Sequence, residues 1–210
     1  MPRTRVKICG ITNAQDAANA VACGVDALGF NFYQGSARYI DPETAAAITS
    51  MLPAFVTTVG LFVDESPERV AEVLGAVSID LLQFHGDETA DYCEEIRRPY
   101  IKALRATSAD EIKRQAANFS GARALLLDSD IDGQFGGTGE TFDWRMVPRL
   151  SKPVIVAGGL NANNVFEAIR LIHPYGVDVS GGVEVSKGVK ELKLVKAFMS
   201  AVESADREGI

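Results

Sequence analysis

Three side chains in this sequence have the chemistry to act on a small charged molecule. Cys9, in Lys7-Ile8-Cys9-Gly10-Ile11-Thr12, is a thiol between an extended apolar run and a glycine turn. A thiolate accepts protons well, but a free thiol ionises near pH ~8.5, so it needs a cationic neighbour to work at neutral pH. Lys7 and helix N-termini are the candidates for that help. Asp128 ends Leu125-Leu126-Leu127-Asp128-Ser129. An acid placed directly after apolar residues is partly desolvated, which raises its pKa and suits a general acid. Arg38, in Gly35-Ser36-Ala37-Arg38-Tyr39, offers a planar fork that matches a carboxylate. Each also has an ordinary reading: a buried structural cysteine, a turn aspartate, a surface arginine.

Glycine clusters supply a second kind of chemistry. Gly136-Gly137-Thr138-Gly139, Gly158-Gly159 and Ser180-Gly181-Gly182 all lie in the second half of the chain. Glycine lets backbone N–H groups approach an anion closely, and a helix N-terminus favours negative charge. Three such clusters on successive loops point to a phosphate site rather than to tight turns alone.

The elements that would position these groups alternate along the chain. Strands are expected at Val6–Ile11, Ala27–Tyr33, Thr57–Val63, Leu81–His85, Tyr100–Leu104, Ala124–Asp128, Val154–Ala157 and Val177–Ser180. Several are apolar on both faces, as buried parallel strands should be. Helices are expected at Asn13–Cys23, after Asp41-Pro42-Glu43, after Ser66-Pro67-Glu68, at Asp87–Arg97, after the capping box at Ser108, and at Phe142–Leu150, Asn161–Ile172 and Gly188–Glu203. The sixth is interrupted by Pro148. That is eight βα units of about 25 residues, the dimensions of an α/β (β/α)8 TIM barrel with residues 1–210 as a single domain. In that fold the residues after each strand share one mouth. They would be Cys9, Asn31, Arg38, Asp64, His85, Arg105, Asp128, Gly158, Gly159, Ser180, Gly181 and Gly182. The polar tail Ser204–Ile210 is expected to fray.

Bulk properties exclude several classes. The chain has 210 residues and a formal net charge of −7, with no basic block, which argues against nucleic acid and anionic membrane as partners. Three widely spaced cysteines make no disulfide framework or zinc pattern, and two histidines make no metal cluster. No apolar run reaches the ~18 residues of a membrane span, and the N-terminus carries no apolar targeting segment. A reduced, cytoplasmic protein is expected. No helix face is over-hydrophobic, so a monomer is expected, with a homodimer as the alternative.

The motifs together resemble the phosphoribosylanthranilate isomerase family of tryptophan biosynthesis. Lys7-Ile8-Cys9-Gly10-Ile11-Thr12 resembles its signature. Ser36-Ala37-Arg38-Tyr39, Gln83-Phe84-His85-Gly86, Leu127-Asp128-Ser129, Gly136-Gly137-Thr138-Gly139, Ala157-Gly158-Gly159-Leu160 and Val177-Asp178-Val179-Ser180 follow in the family's order. Phe84 replaces the usual leucine, and Gly181 stands where a second serine is common. The resemblance implies an Amadori rearrangement of N-(5-phosphoribosyl)anthranilate with no metal or organic cofactor. By position, Asp128 would be the general acid and Cys9 the general base. Arg38 would bind the anthranilate carboxylate, with His85 and Asp178 also at the substrate. Gly137, Thr138, Gly139, Gly158, Gly159, Ser180, Gly181 and Gly182 would hold the phosphate. Two related barrel families fit less well. The histidine-pathway ProFAR isomerases resemble a pair of aspartates, one where Cys9 stands. Indole-glycerol-phosphate synthases rely on several strand-end lysines, and Lys102 alone does not make that set. A non-catalytic phosphate-binding module would need neither Cys9 nor Asp128.

Overall fold

The computed structural model describes residues 3–129 and 141–208. Eight parallel strands close into a barrel in sequence order: β1 (Arg5–Cys9), β2 (Ala27–Asn31), β3 (Thr57–Phe62), β4 (Leu81–Phe84), β5 (Tyr100–Arg105), β6 (Ala124–Asp128), β7 (Val154–Val156) and β8 (Gly176–Val179). Around it run α1 (Ala14–Ala22), α2 (Pro42–Thr49), α3 (Pro67–Ala76), α4 (Ala90–Glu95), α5 (Ala109–Asn118), α6 (Val165–Ile172) and α7 (Leu192–Glu208).

Period-two alternation explains the layering. Val6, Ile8, Leu28, Phe30, Leu82 and Phe84 point outward and pack with the helices in the main core. Val59, Ile101, Ala103, Ala124, Leu126 and Ala157 point inward and fill the barrel as a separate apolar plug. On β1 the inward positions are therefore Lys7 and Cys9. The helix starts follow their sequence signals: Asn13, Asp41, Ser66, Thr89 and Ser108 each accept a backbone N–H from the first turn.

Four local expectations need correction. The helix expected at Phe142–Leu150 is only a single 3-10 turn, Trp144–Met146. Pro148 has no N–H to continue it. Asn161–Asn164 is a turn, with its own side chains satisfying its backbone, and α6 begins at Val165. The last helix, expected from Gly188, begins at Leu192: Val189–Lys190 is a strand, β10, paired antiparallel with β9 (Glu184–Ser186) in a hairpin that turns at Gly188 with φ +83°. The tail is helical to Glu208, because the Asp206 carboxylate accepts the Thr4 N–H at 2.9 Å and its hydroxyl at 2.6 Å.

Among the described residues no helix is long and apolar enough to cross a membrane. Among the described residues the most exposed large apolar side chain is not on a helix face: it is Phe55, in the α2–β3 turn.

Lys102 points outward from the barrel into a buried pair with Glu88 at 2.9 Å, and also donates to the carbonyl of Gly86 at 2.6 Å. Glu88 in turn accepts the N–H groups of Asp64 and Gly86. The pair ties the loops after β3 and β4 together and takes Lys102 away from the mouth. Removing one partner strands a buried charge. Glu88→Ala should therefore lower unfolding free energy in urea titrations by about 3–5 kcal/mol, with Glu88→Leu/Lys102→Met costing much less.

Candidate active site

A cavity of about 470 Å³ opens at the C-terminal ends of the strands. Among the described residues its lining includes Cys9, Arg38, His85, Asp128, Gly158, Gly159, Asp178, Ser180, Gly181 and Gly182. The structure thus gathers these sequence candidates in one place. Gly137, Thr138 and Gly139 lie outside the described residues. Asp64 and Arg105, also at strand ends, are not among the lining residues; each contacts Asp87 instead.

Cys9 is 8% exposed and stands above an ion pair. Lys7, two residues earlier on the same inward face, binds Asp178 of β8 at 2.9 Å, and the two are direct partners in the β1–β8 register. Gly29 makes the space for this arrangement. A Cβ there would lie 2.9 Å from the Cys9 sulfur and 3.0 Å from Lys7 Cε. Burial pushes the Cys9 thiol above its ordinary value; Lys7 and Lys190 pull it back, while Asp178 pushes it further up. The expected help from Lys7 is present, but in the empty site burial outweighs it. Burial also disfavours the Lys7 charge, yet Asp178 and the Cys9 sulfur keep its pKa above the usual lysine value.

Asp128 is buried as expected, but it is not without partners. Its Oδ1 accepts the Ser129 N–H at 2.8 Å, and its Oδ2 lies 3.0 Å from His85 Nε2. The other ring nitrogen of His85, Nδ1, is 2.8 Å from Gln83 Nε2. Gln83 is fully buried on β4, and its Oε1 has no described partner. A glutamine amide can present either atom to the ring. With Nε2 donating, the ring proton lies between His85 Nε2 and Asp128. With the amide reversed, Oε1 accepts from Nδ1–H. The Gln83 amide thus decides which ring nitrogen carries the hydrogen, and the chain Gln83–His85–Asp128 links β4 to β6.

Arg38 is set by the loop after β2. Asn31 donates to Ser36 Oγ, which accepts the Arg38 N–H at 3.1 Å. The guanidinium is already gripped: Nε and Nη2 donate to Glu184 at 2.9 and 2.8 Å. The expected free fork is thus half occupied by a carboxylate of the protein. Lys190 donates to Glu184 Oε1 at 2.6 Å and to the carbonyl of Cys9 at 2.6 Å. Sequence reasoning missed Glu184 and Lys190. The signal was there, in alternating residues on either side of Lys187-Gly188, a short hairpin pattern.

The two described glycine loops are tightly turned. Gly158 and Gly159 have φ of +76° and +62°. A Cβ on Gly158 would lie 2.6 Å from the backbone nitrogen of Ser129, and one on Gly182 would run into the carbonyl of Leu160. Ser180 turns its hydroxyl to the carbonyl of Cys9 at 3.0 Å. Its side chain ties β8 to β1.

Comparison with known proteins gives this arrangement its context. The sequence model of the family described as PRAI, N-(5'phosphoribosyl)anthranilate (PRA) isomerase, matches residues 6–201. The chain belongs to that family. It is 54% identical over 206 residues to N-(5'-phosphoribosyl)anthranilate isomerase from Pseudomonas putida (strain W619), covering 98% of this chain and 100% of that one. It is 52% identical over 209 residues to the Pseudomonas paraeruginosa (strain DSM 24068 / PA7) protein of the same name, covering 99% of each. Phosphoribosyl anthranilate isomerase from Thermotoga maritima has a similar structure, with a TM-score of 0.87 at 38% identity, covering 96% of this chain and 99% of that one. A structure of phosphoribosyl anthranilate isomerase in complex with reduced 1-(o-carboxyphenylamino)-1-deoxyribulose 5-phosphate matches with a TM-score of 0.83 at 38% identity, with the same coverage.

The surroundings of Cys9 make a prediction about this PRA isomerase family member. Ultraviolet titration of thiolate absorbance, wild type minus Cys9→Ala, should give an apparent pKa above the ordinary 9.0 in the empty enzyme. A value below 9.0 would mean that the lysines outweigh burial.

Proposed function

We propose that this chain isomerises N-(5-phosphoribosyl)anthranilate to 1-(2-carboxyphenylamino)-1-deoxyribulose 5-phosphate in tryptophan biosynthesis, by acid–base catalysis from its own side chains. The observation that carries this reading is that Cys9 on β1 and Asp128 on β6, three strands round the barrel from each other, line the same cavity.

Asp128 gives its proton to the furanose ring oxygen as the C1–O bond breaks, and the nitrogen lone pair forms the C1=N iminium. The Cys9 thiolate then takes the proton from C2. The C2–H electron pair forms C1=C2, and the iminium becomes a neutral enolamine. Tautomerisation moves a proton to C1 and leaves a ketone at C2. Carbon 1 is reduced and carbon 2 oxidised within one molecule, so the electrons balance without an outside acceptor. The Gln83–His85 chain orients Asp128 through the hydrogen bond to its Oδ2. Asp178 has a buried Oδ1 with no described partner, suited to a sugar hydroxyl. Arg38 takes the carboxylate and the glycine loops take the phosphate. Fixing both anionic ends holds C1 and C2 between acid and base.

Cys9→Ala and Asp128→Asn should each lower kcat by about 10²–10⁴-fold, the usual worth of a general acid or base, while thermal unfolding stays close to wild type. Arg38→Ala should act mainly on KM. In cells, the gene should restore growth without tryptophan to a strain lacking this isomerase. Near-wild-type turnover by both the Cys9 and Asp128 variants would end the acid–base assignment.

A further inference from the structure

The hairpin β9–β10 is not part of the barrel, and none of the steps above uses it. Its two strands pair Lys190 with Glu184, and these side chains are among the most buried charges in the molecule, at 1% and 4% exposure. We infer that Glu184 is a positioning residue that aims Arg38 at the substrate carboxylate, with Lys190 locking Glu184 to the strand that carries Cys9. This rests on the isomerase reading above and goes beyond it in assigning a specificity role to the hairpin.

Three observations carry the inference. First, Arg38 has little freedom left. Its stem lies over Gly10, where a Cβ would sit 2.6 Å from Arg38 Cδ, and its head is held along the Nε–Nη2 edge by both oxygens of Glu184. Of the five guanidinium N–H groups, that grip takes one on Nε and one on Nη2. Among the described residues none accepts from Nη1. The edge formed by Nη1 and the second Nη2 hydrogen is left to make a bidentate contact, and Arg38 lines the cavity.

Second, two cations share one carboxylate: the Lys190 ammonium and the largely covered Arg38 guanidinium both bond Glu184. Burial disfavours the charge on Glu184, but its bonds to Arg38 and Lys190 hold its pKa below the usual carboxylate range. Burial pulls the Lys190 pKa below the usual lysine value, against the attraction of Glu184. Glu184 is thus divided between two cations, and the Arg38 edge that faces the cavity can take a second carboxylate.

Third, the cluster is built into the catalytic frame. Lys190 Nζ donates to the carbonyl of Cys9 itself, and the Lys190 N–H to Asp16 at 2.7 Å. A carboxylate docked on Arg38 is thereby placed relative to the backbone of the proposed base.

The test compares N-(5-phosphoribosyl)anthranilate with N-(5-phosphoribosyl)aniline, which lacks the carboxylate. Wild-type turnover of the anthranilate compound is measured first; its absence would sink the isomerase reading itself. Given that turnover, Glu184→Gln should raise KM for the anthranilate compound about tenfold while kcat stays within about twofold, the pattern of lost binding common to ground and transition state. On the aniline compound, Glu184→Gln and wild type should agree in kcat/KM within about twofold. Because Glu184→Gln strands the Lys190 charge, Glu184→Gln/Lys190→Met, which removes that charge, is measured alongside. Any loss from withdrawing Lys190 from Cys9 falls on both substrates, so kcat/KM should fall about tenfold further on the anthranilate compound than on the aniline compound. Equal losses on both substrates, a fall in kcat at unchanged KM, or no change at all would overturn the positioning role.

Discussion

An ammonium and a carboxylate lie side by side inside the barrel, at the seam where the first strand meets the last. Lys7 and Asp178 are in register across β1 and β8, and both are almost wholly buried. Burying either charge alone would cost several kcal/mol, so each is tenable only with the other. The pair also marks a boundary. Below it the interior is an apolar plug of Val, Ile, Leu and Ala. Above it begin the polar side chains of the mouth. A one-residue shift of β1 would turn Cys9 into the helix layer, since inward and outward faces alternate. The same register that closes the barrel therefore sets a cation beneath the thiol.

Around this seam the two sides of the mouth are built differently. The β1 side is dense in cations: Lys7, Lys190 and Arg38 all act on Cys9 or its backbone. The β4–β6 side is a hydrogen-bonded chain, Gln83, His85 and Asp128, with no lysine or arginine in it. One side attracts an anion, and the other presents a carboxyl group. A substrate with a carboxylate, a phosphate and a sugar carbon between them fits that asymmetry. The glycine turns after β7 and β8 bring uncharged backbone to the same cavity.

Much of this was legible in the sequence because it depends on local rules. The apolar runs before them placed Cys9 and Asp128 at strand C-terminal ends, and Gly158-Gly159 and Gly181-Gly182 lie on loops after the last two barrel strands. What was not legible depends on which strands become neighbours. The partner of Lys7 lies 171 residues away and emerges only when β8 closes on β1. Gln83 sits in the apolar run Leu81–Phe84, where nothing local separates a polar side chain aimed at His85 from a buried bystander. Glu184 lay in a stretch given no element, and Lys190 was hidden just after it, in a segment assigned to the start of the last helix, Gly188–Glu203. There the helical pattern of Leu192, Val195, Phe198 and Met199 was read too far toward the N-terminus. The Pro148 segment failed for the opposite reason: its helix-like composition could not overcome a missing donor.

The central claim is that Cys9 is the base and that the Lys7 cation beside it favours its ionised form. The pH dependence of kcat/KM in wild type and in Lys7→Met tests it most directly, since that profile reports the free enzyme's essential groups. A base must be deprotonated to act, so the wild-type profile should rise with pH up to the Cys9 pKa. Removing the cation raises that pKa, so in Lys7→Met the rising limb should move to higher pH, with activity partly recovered under alkaline conditions. A rising limb that stays in place when Lys7 is removed would contradict the claim.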